Sequence, residues 1–278
     1  MTLQTGVGHQ YRQASWFERV AAGSARRAPD WIRRPLKRAF EALLDALPGD
    51  HLVCRLPGGE AFRVDPEHRH LAWNADEYAA LKAAVRPGAT VLDVGANVGA
   101  YTLLFATWAG PGGRVVAFEP ASASREGLTR HLALNGLSSR VITRADAVSD
   151  RSGRVPFVEA GTSGANRIVA GGSAEATAVN AVTLDDVCEA MVLSPDVIKI
   201  DVEGAELAAL RGARRTIAAR RRALALFVEL HPGIWPSVGV TRADIERELR
   251  EQELTIEPLP GVADPWSVEG VSVRLRSA

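Results

Sequence analysis

The chain has few of the features that mark specialised protein classes. It contains only two cysteines, Cys54 and Cys188, far apart in 278 residues, so neither a disulfide framework nor a zinc-type cluster is predicted. No apolar run approaches the roughly 18 residues that a membrane helix needs, and no apolar stretch near the amino terminus indicates a signal peptide. We therefore expect a cytoplasmic protein with no membrane partner.

The chain also lacks an excess of charge of either sign. The 33 Lys and Arg residues balance 33 Asp and Glu residues, so the formal net charge is zero. A chain without excess positive charge gives no electrostatic reason to expect a nucleic-acid partner. Hydrophobic residues make up 46% and charged residues 24%, an ordinary globular balance. The oligomeric state is not readable from these numbers.

The order of apolar patterns predicts an α/β protein. Residues 1–50 carry apolar residues at mixed three- and four-residue steps, which indicates an amphipathic helical extension. Residues 51–278 are predicted as one domain, with a hairpin lead-in at 51–74. From residue 90, short apolar runs alternate with helical patterns, which favours a parallel sheet with helices on both faces. Residues 150–183, rich in Gly, Ala and Ser, are predicted as an insert or lid.

A glycine turn follows the first strand of this sheet. The stretch VLDVGANVGA contains Asp93, Gly95, Ala96, Asn97 and Gly99, and small residues let the backbone approach a ligand. A dinucleotide site is expected to show G-x-G-x-x-G, but Asn97 occupies the place of its middle glycine. The carboxylate of Asp93 suits a ligand with a cationic amine. The turn therefore favours S-adenosyl-L-methionine, which has no phosphate, over NAD.

The ends of the next two strands carry further acids. Glu119 ends the second strand, where a carboxylate can accept hydrogen bonds from both ribose hydroxyls of a nucleoside. Asp146 and Ala147 follow the third strand, where a side chain and a backbone N–H can contact an adenine. A simple turn acid explains Asp146 equally well.

Together these stretches resemble the FkbM-type family of S-adenosylmethionine-dependent methyltransferases. The matching segments include VLDVGANVGAYT, VVAFEP, VTLDDV, VIKIDVEGAELAALRGA and FVELHP, over roughly residues 75–235. The resemblance implies a Rossmann-like class I methyltransferase sheet of seven strands, mostly parallel and with the last strand antiparallel. It also implies S-adenosyl-L-methionine as cofactor and a hydroxyl of a sugar or small natural product as acceptor.

The resemblance also implies roles for individual residues. The turn from Asp93 to Gly99 would hold the methionine part of the cofactor and Glu119 its ribose, while Asp146 and Ala147 would face the adenine. Glu77, with its neighbour Tyr78 in the helix before the first strand, would also reach the cofactor.

A second group of acids follows the fourth strand. In VIKIDVEGAE, Asp201 is predicted at the strand's carboxyl end, where it would position the cofactor or the acceptor, and Glu203 opens the next helix. His231 ends the fifth strand near the same edge and is predicted as general base, since its usual pKa suits proton transfer at neutral pH. The alternative is that His231 only closes the strand ahead of Pro232. Two acids without a third ligand are too few for Mg²⁺, so no metal site is predicted.

Two other functions stay open. One is an NAD(P)-dependent oxidoreductase, which the missing middle glycine argues against. The other is a non-catalytic binding protein that keeps the fold, which the retained acids in the cleft argue against. The identity of the acceptor, and the choice between methylation of oxygen, nitrogen or carbon, are not encoded in any motif.

Overall fold

The structure, a computed structural model, describes residues 10–11, 35, 51–68, 71–159, 161, 166–169, 176–261 and 264–277. The predicted helical extension lies almost wholly outside these residues, as does part of the predicted insert at 150–183. The chain divides into two compact units, residues 11–72 and residues 1–10 together with 73–278. The domain boundary that the sequence indicates at residue 50 stays a prediction.

The smaller unit contains the predicted hairpin. After the two-residue strand β1 (Gln10–Tyr11), strands β2 (Leu52–Arg55) and β3 (Ala61–Val64) pair antiparallel, with Leu52 opposite Val64. Gly59, at the turn between them, has a φ of 95°, which glycine adopts without steric cost. A 3₁₀ turn follows at Pro66–His68.

The larger unit is built on a seven-stranded sheet. After the short strand β4 (Trp73–Asn74), the strands of this sheet are β5 (Thr90–Val94), β6 (Arg114–Phe118), β7 (Val141–Arg144), β12 (Val197–Ile200), β13 (Ala225–Leu230), β14 (Leu254–Pro258) and β15 (Val271–Ser277). Their spatial order is β14-β15-β13-β12-β5-β6-β7. The five strands from β13 to β7 run parallel, and β15 is antiparallel to both of its neighbours. The predicted class I methyltransferase sheet is confirmed.

Seven helices are described for this unit. They are α1 (Ala75–Ala84), α2 (Ala100–Ala109), α3 (Ser122–Leu134), α4 (Leu184–Ala190), α5 (Glu206–Arg211), α6 (Arg214–Arg220) and α7 (Arg242–Glu251). Local sequence fixes their starts: Asn74 accepts hydrogen bonds from the first backbone N–H groups of α1, and Thr241 and Asp244 form a capping box on α7. Within the described part of the chain, no helix has the length and apolar character needed to cross a membrane.

The helix predicted from Glu203 onwards begins instead at Glu206, because Glu203 has a left-handed backbone, and it is interrupted. At Gly212, between α5 and α6, a Cβ atom would lie only 2.0 Å from the backbone oxygen of Ser149. The carboxylate of Asp185 accepts hydrogen bonds from the backbone N–H groups of Arg215 and Thr216 at 2.9 and 2.7 Å. This carboxylate caps a new helix start, so long-range contacts divide what periodicity alone presents as one helix.

The insert at 150–183 contributes a second, smaller sheet. It comprises β8 (Ala147–Val148), β9 (Gly153–Val158), β10 (Arg167–Ile168) and β11 (Thr177–Val182), in the order β10-β9-β11-β8. Strands β9 and β11 therefore form the two ends of the insert. Phe157 is buried and Ile168 half-buried, and both contribute to the wall of a cleft.

The parallel order reverses between β5 and β12. From β5 the chain builds outwards through β6 and β7, then returns to add β12 and β13 on the other side. In sheets of this kind, ligands bind beyond the carboxyl ends of the strands at the reversal. A cleft lies there that encloses about 690 Å³, including its open mouth.

Candidate active site

The glycine turn after β5 forms part of the cleft wall. Gly95 has a φ of 85°, and a Cβ atom on it would lie 1.7 Å from the backbone oxygen of Asp201. The turn and the end of β12 therefore touch backbone to backbone. Asn97 is also left-handed, with a φ of 48°, a conformation that asparagine tolerates better than most residues. Gly95 and Asn97 line the cleft. Ala96 is buried, and Gly99, the N-cap residue of α2, packs against Leu128.

Glu119 connects this turn to the end of β6. Its carboxylate accepts hydrogen bonds from the backbone N–H groups of Asn97 (2.7 Å) and Ala121 (2.9 Å). Burial raises its pKa to about 7, against the opposing effect of these two hydrogen bonds. Each carboxylate oxygen keeps a second lone pair, and Glu119 lines the cleft. The predicted contact, in which Glu119 accepts hydrogen bonds from ribose hydroxyls, stays a prediction.

Asp146 and Ala147 lie on the same wall, beyond β7. The guanidinium of Arg144 binds the Asp146 carboxylate at 2.8 and 2.9 Å. Asn166, from the insert, also lines the cleft. Neither Asn166 nor Phe157 was predicted as a site residue, because the composition of the insert contains no motif that distinguishes them.

A buried lysine lies under the cleft floor. Lys199, at the centre of β12, is almost fully buried, and its Nζ lies 3.0 Å from Asp201 and 3.7 Å from Glu77. The same Nζ lies 4.6 Å from the ring centroid of Tyr101, a cation–π distance. Burial lowers the pKa of Lys199, but Asp201 and Glu77 outweigh this effect and hold the pKa above its ordinary value. The lysine therefore stays protonated.

Two predicted cofactor contacts lie beside this lysine rather than on the cleft wall. The Glu77 carboxylate accepts a hydrogen bond from Ser272 at 2.8 Å, and Asp93 accepts one from Thr102 at 2.5 Å. Both acids are buried and neither lines the cleft. Burial raises the pKa of Asp93 to about 6. The structure gives both acids the position of counter-ions to Lys199.

Asp201, Glu203 and Glu229 form the opposite wall. Burial disfavours the charge on Asp201, but Lys199 and His231 outweigh this and hold its pKa below the ordinary value. Burial raises the pKa of Glu203 and of Glu229 to about 7. Glu203 has a φ of 47°, a strained conformation of the kind that occurs at functional sites.

His231 lies behind these three acids. Its Nδ1 lies 2.8 Å from Glu206, and Glu206 also accepts hydrogen bonds from Gly204 N–H and Trp235 Nε1. Burial alone lowers the pKa of His231, but the hydrogen bond to Glu206 and the nearby carboxylate of Glu229 outweigh it and raise the pKa to about 11. The prediction of a near-neutral pKa is wrong. The imidazole is held protonated by acids that sequence reasoning could not place around it, so it is not ready to accept a proton.

Negative groups outnumber positive ones around Lys199 and His231. The carboxylates that surround these two cations are Glu77, Asp93, Asp201, Glu203, Glu206 and Glu229. Buried charges are stable only when they are paired, and three of these acids have pKa values raised to about 6 or 7. The cleft is therefore suited to a ligand that carries positive charge.

Comparison with known proteins adds a family and some distant relatives. Residues 93–253 match the family described as methyltransferase FkbM domain. Over 168 residues the chain is 28% identical to the hexuronic acid methyltransferase AglP of Haloferax volcanii, covering 59% of this chain and 63% of that protein. The chain thus spans less than two thirds of this relative.

Two solved structures are more distant. One is a methyltransferase FkbM from Methylobacillus flagellatus, with a TM-score of 0.45 and 20% identity, covering 69% of this chain and 48% of that one. The other is Aeropyrum pernix fibrillarin with natively bound S-adenosyl-L-methionine, with a TM-score of 0.43 and 16% identity, covering 84% of this chain and 86% of that one.

Proposed function

The chain belongs to the family of methyltransferase FkbM domains, and from this premise we propose that it methylates a hydroxyl oxygen of a sugar or another small molecule, using S-adenosyl-L-methionine. The observation that carries the proposal is the cleft at the reversal of strand order, where Glu119 meets the glycine turn and buried acids exceed the cations. A sulfonium cofactor with an amino group matches that charge.

The residues of the cleft fit this cofactor, which supplies a methyl group bonded to positively charged sulfur. Glu119 would accept hydrogen bonds from the ribose hydroxyls, because it lines the cleft and each of its oxygens keeps a second lone pair. Asp146 and the Ala147 backbone would face the adenine. The turn at Gly95 and the half-buried carboxylate of Asp201 would hold the methionine part. A diphosphate would instead meet several uncompensated carboxylates, which argues against a dinucleotide.

The acceptor is proposed to bind on the side of Glu203 and Glu229. Methyl transfer requires the acceptor oxygen to be aligned with the methyl group at near-attack distance. Asp201 and His231 are proposed to orient the acceptor there. Glu206, which also accepts a hydrogen bond from Trp235, restricts the rotation of the His231 ring. Such alignment needs this kind of fixed geometry.

The acceptor class is proposed from the cleft and from one relative. Glu203 and Glu229 line this part of the cleft, and carboxylates accept hydrogen bonds from the hydroxyls of a sugar. The relative from Haloferax volcanii is named for hexuronic acid. Sugars and sugar acids are therefore the first acceptors to test, with oxygen as the methylated atom. A cytoplasmic location also stays a prediction.

The test is a transfer assay with methyl-labelled S-adenosyl-L-methionine and a panel of monosaccharides, hexuronic acids and small-molecule alcohols. We expect label in an ether-linked methyl group, identified by mass spectrometry and NMR. Glu119→Gln should reduce the transfer at least tenfold at low cofactor concentration, whereas Glu126→Gln, the same change at an exposed site on α3, should not. Methylation of nitrogen or carbon would refute the oxygen assignment. Reduction or oxidation of the same panel with NAD(P), without methyl transfer, would refute the proposal itself.

A further inference from the structure

The acceptor end of the cleft holds three side chains of metal-binding type. One ligand atom from each of Asp201, Glu229 and His231 lies within 4.8 Å of the other two. Ligands on opposite sides of one divalent cation lie roughly 4 to 5 Å apart, about twice the usual metal–ligand distance. The three atoms therefore span the space that a single ion occupies.

The orientation of His231 is an independent sign of a ligand. Its side chain is buried, and its Nε2 points at Glu203, Glu229 and Asp201 across 3.5, 3.6 and 4.0 Å. These distances exceed an ordinary hydrogen bond. Its other ring nitrogen is fixed by Glu206 at 2.8 Å. A histidine that binds a metal usually presents one nitrogen to the ion while a carboxylate holds the other.

The charge around the cluster also favours a cation. Asp201 and Glu229 share the positive charge of Lys199, at 3.0 and 4.0 Å from its Nζ, with several other acids. A divalent ion would neutralise this surplus and would take the place of the proton on His231, since ligand nitrogens bind metals in the neutral form. The sequence analysis placed His231 near this edge as a general base, but it counted only Asp201 and Glu203 as possible metal ligands.

We propose that Asp201, Glu229 and His231 bind one divalent cation of the Mn²⁺ type at the acceptor end of the cleft. Mg²⁺ and Ca²⁺ prefer oxygen ligands only, whereas Mn²⁺ combines affinity for carboxylates with acceptance of an imidazole nitrogen. The open mouth of the cleft leaves the remaining coordination positions to water or to an acceptor. Lys199 stays on the other side of Asp201, as its counter-ion.

The role of this ion rests on the proposed methyltransferase function, although its binding does not. A hydroxyl must lose its proton when its oxygen is methylated. A cation that coordinates the acceptor oxygen lowers the pKa of its hydroxyl, and the proton then leaves to water at the cleft mouth. Two adjacent sugar hydroxyls would occupy two open positions.

The test measures Mn²⁺ binding by electron paramagnetic resonance on the full-length chain, without cofactor or acceptor. Wild-type protein is expected to remove one Mn²⁺ per chain from solution, saturably. Glu229→Gln should weaken the binding at least tenfold, while Glu257→Gln, the same change on an exposed strand position, should leave it unchanged. Absence of saturable binding, or equal binding by wild type and Glu229→Gln, overturns the proposal.

A second measurement does not depend on any variant folding. Electron spin-echo spectra of the wild-type Mn²⁺ complex should show coupling to one imidazole nitrogen, and a complex without nitrogen coupling overturns the assignment of His231. Titration of EDTA-treated protein with S-adenosylhomocysteine separates the two proposals. Cofactor binding without Mn²⁺ binding refutes the metal site alone. Mn²⁺ binding without cofactor binding refutes the proposed function and leaves the site standing.

Discussion

Glu119 is an ordinary carboxylate by type, yet its burial raises its pKa to about 7. Two backbone N–H groups and the Arg125 guanidinium oppose this effect, while the Asp201 carboxylate adds to it. The ionised form is the better acceptor for hydroxyl donors. As the pH rises through 7, the free energy of unfolding therefore falls, because the buried charge is disfavoured, while the capacity to bind a ribose rises.

The affinity for S-adenosylhomocysteine is expected to increase about tenfold between pH 6 and pH 8, since only the protein with ionised Glu119 binds well. Titration calorimetry at several pH values measures this. Glu119→Gln should bind about ten- to a hundredfold more weakly at pH 8, because it loses charge-assisted hydrogen bonds, and its affinity should vary much less with pH. Glu126→Gln should behave as wild type. A Glu119→Gln protein with unchanged affinity contradicts the ribose assignment.

For single residues, the sequence predicted positions that a strand end fixes, but it did not predict properties that depend on neighbouring side chains. Glu119 and Asp201 lie on the cleft wall as predicted, because strand ends fix their positions. Glu77, by contrast, lies under Lys199. The protonation of His231 depends on Glu206 and Glu229. Glu206 lies on α5 and Glu229 lies on β13, just before His231, and no sequence motif encodes the distances between these side chains.

Among the described elements, the turn after β5 is tightly constrained. Gly95 must adopt a φ of 85°, and its Cα faces the backbone of Asp201 at a distance that leaves no space for a side chain. The turn therefore sets the distance between the two strands that flank the cleft. The glycine at position 95 is therefore required by packing as well as by the approach of a ligand.

Gly95→Ala is expected to lower the free energy of unfolding by about 3 to 5 kcal/mol, from the left-handed backbone and the steric overlap together. The control is Gly136→Ala at the end of α3. Gly136 also has a positive φ, 65°, but a Cβ atom there would have no neighbour within 4 Å, so we expect a loss of about 1 to 2 kcal/mol. Urea denaturation compares the two. Equal losses would show that the approach of the turn to Asp201 is not tight.

Elements were predictable where their signals are local. The alternation of apolar runs and helical patterns located all seven strands of the central sheet. The break between α5 and α6 was not predicted, because it depends on the distant Asp185 and Ser149. The joining of β8 to the strands of the insert likewise depends on pairing between Ala147 and Ala181, which periodicity does not encode.

For the larger unit as a whole, strand order locates the cleft and charge selects its ligand. Reversal of the order between β5 and β12 opens a site at their carboxyl ends. The chain as a whole is neutral, yet acids exceed cations at this site. Local charge, and not net charge, therefore carries the inference of a cationic cofactor.

The most direct test of this inference is titration calorimetry of the full-length chain with S-adenosylhomocysteine and, separately, with NAD. The thioether product keeps the amino group and ribose of the cofactor, so it reports on the same contacts. The account predicts that S-adenosylhomocysteine binds at one molecule per chain and that NAD does not bind measurably. Binding of NAD without binding of S-adenosylhomocysteine would contradict it.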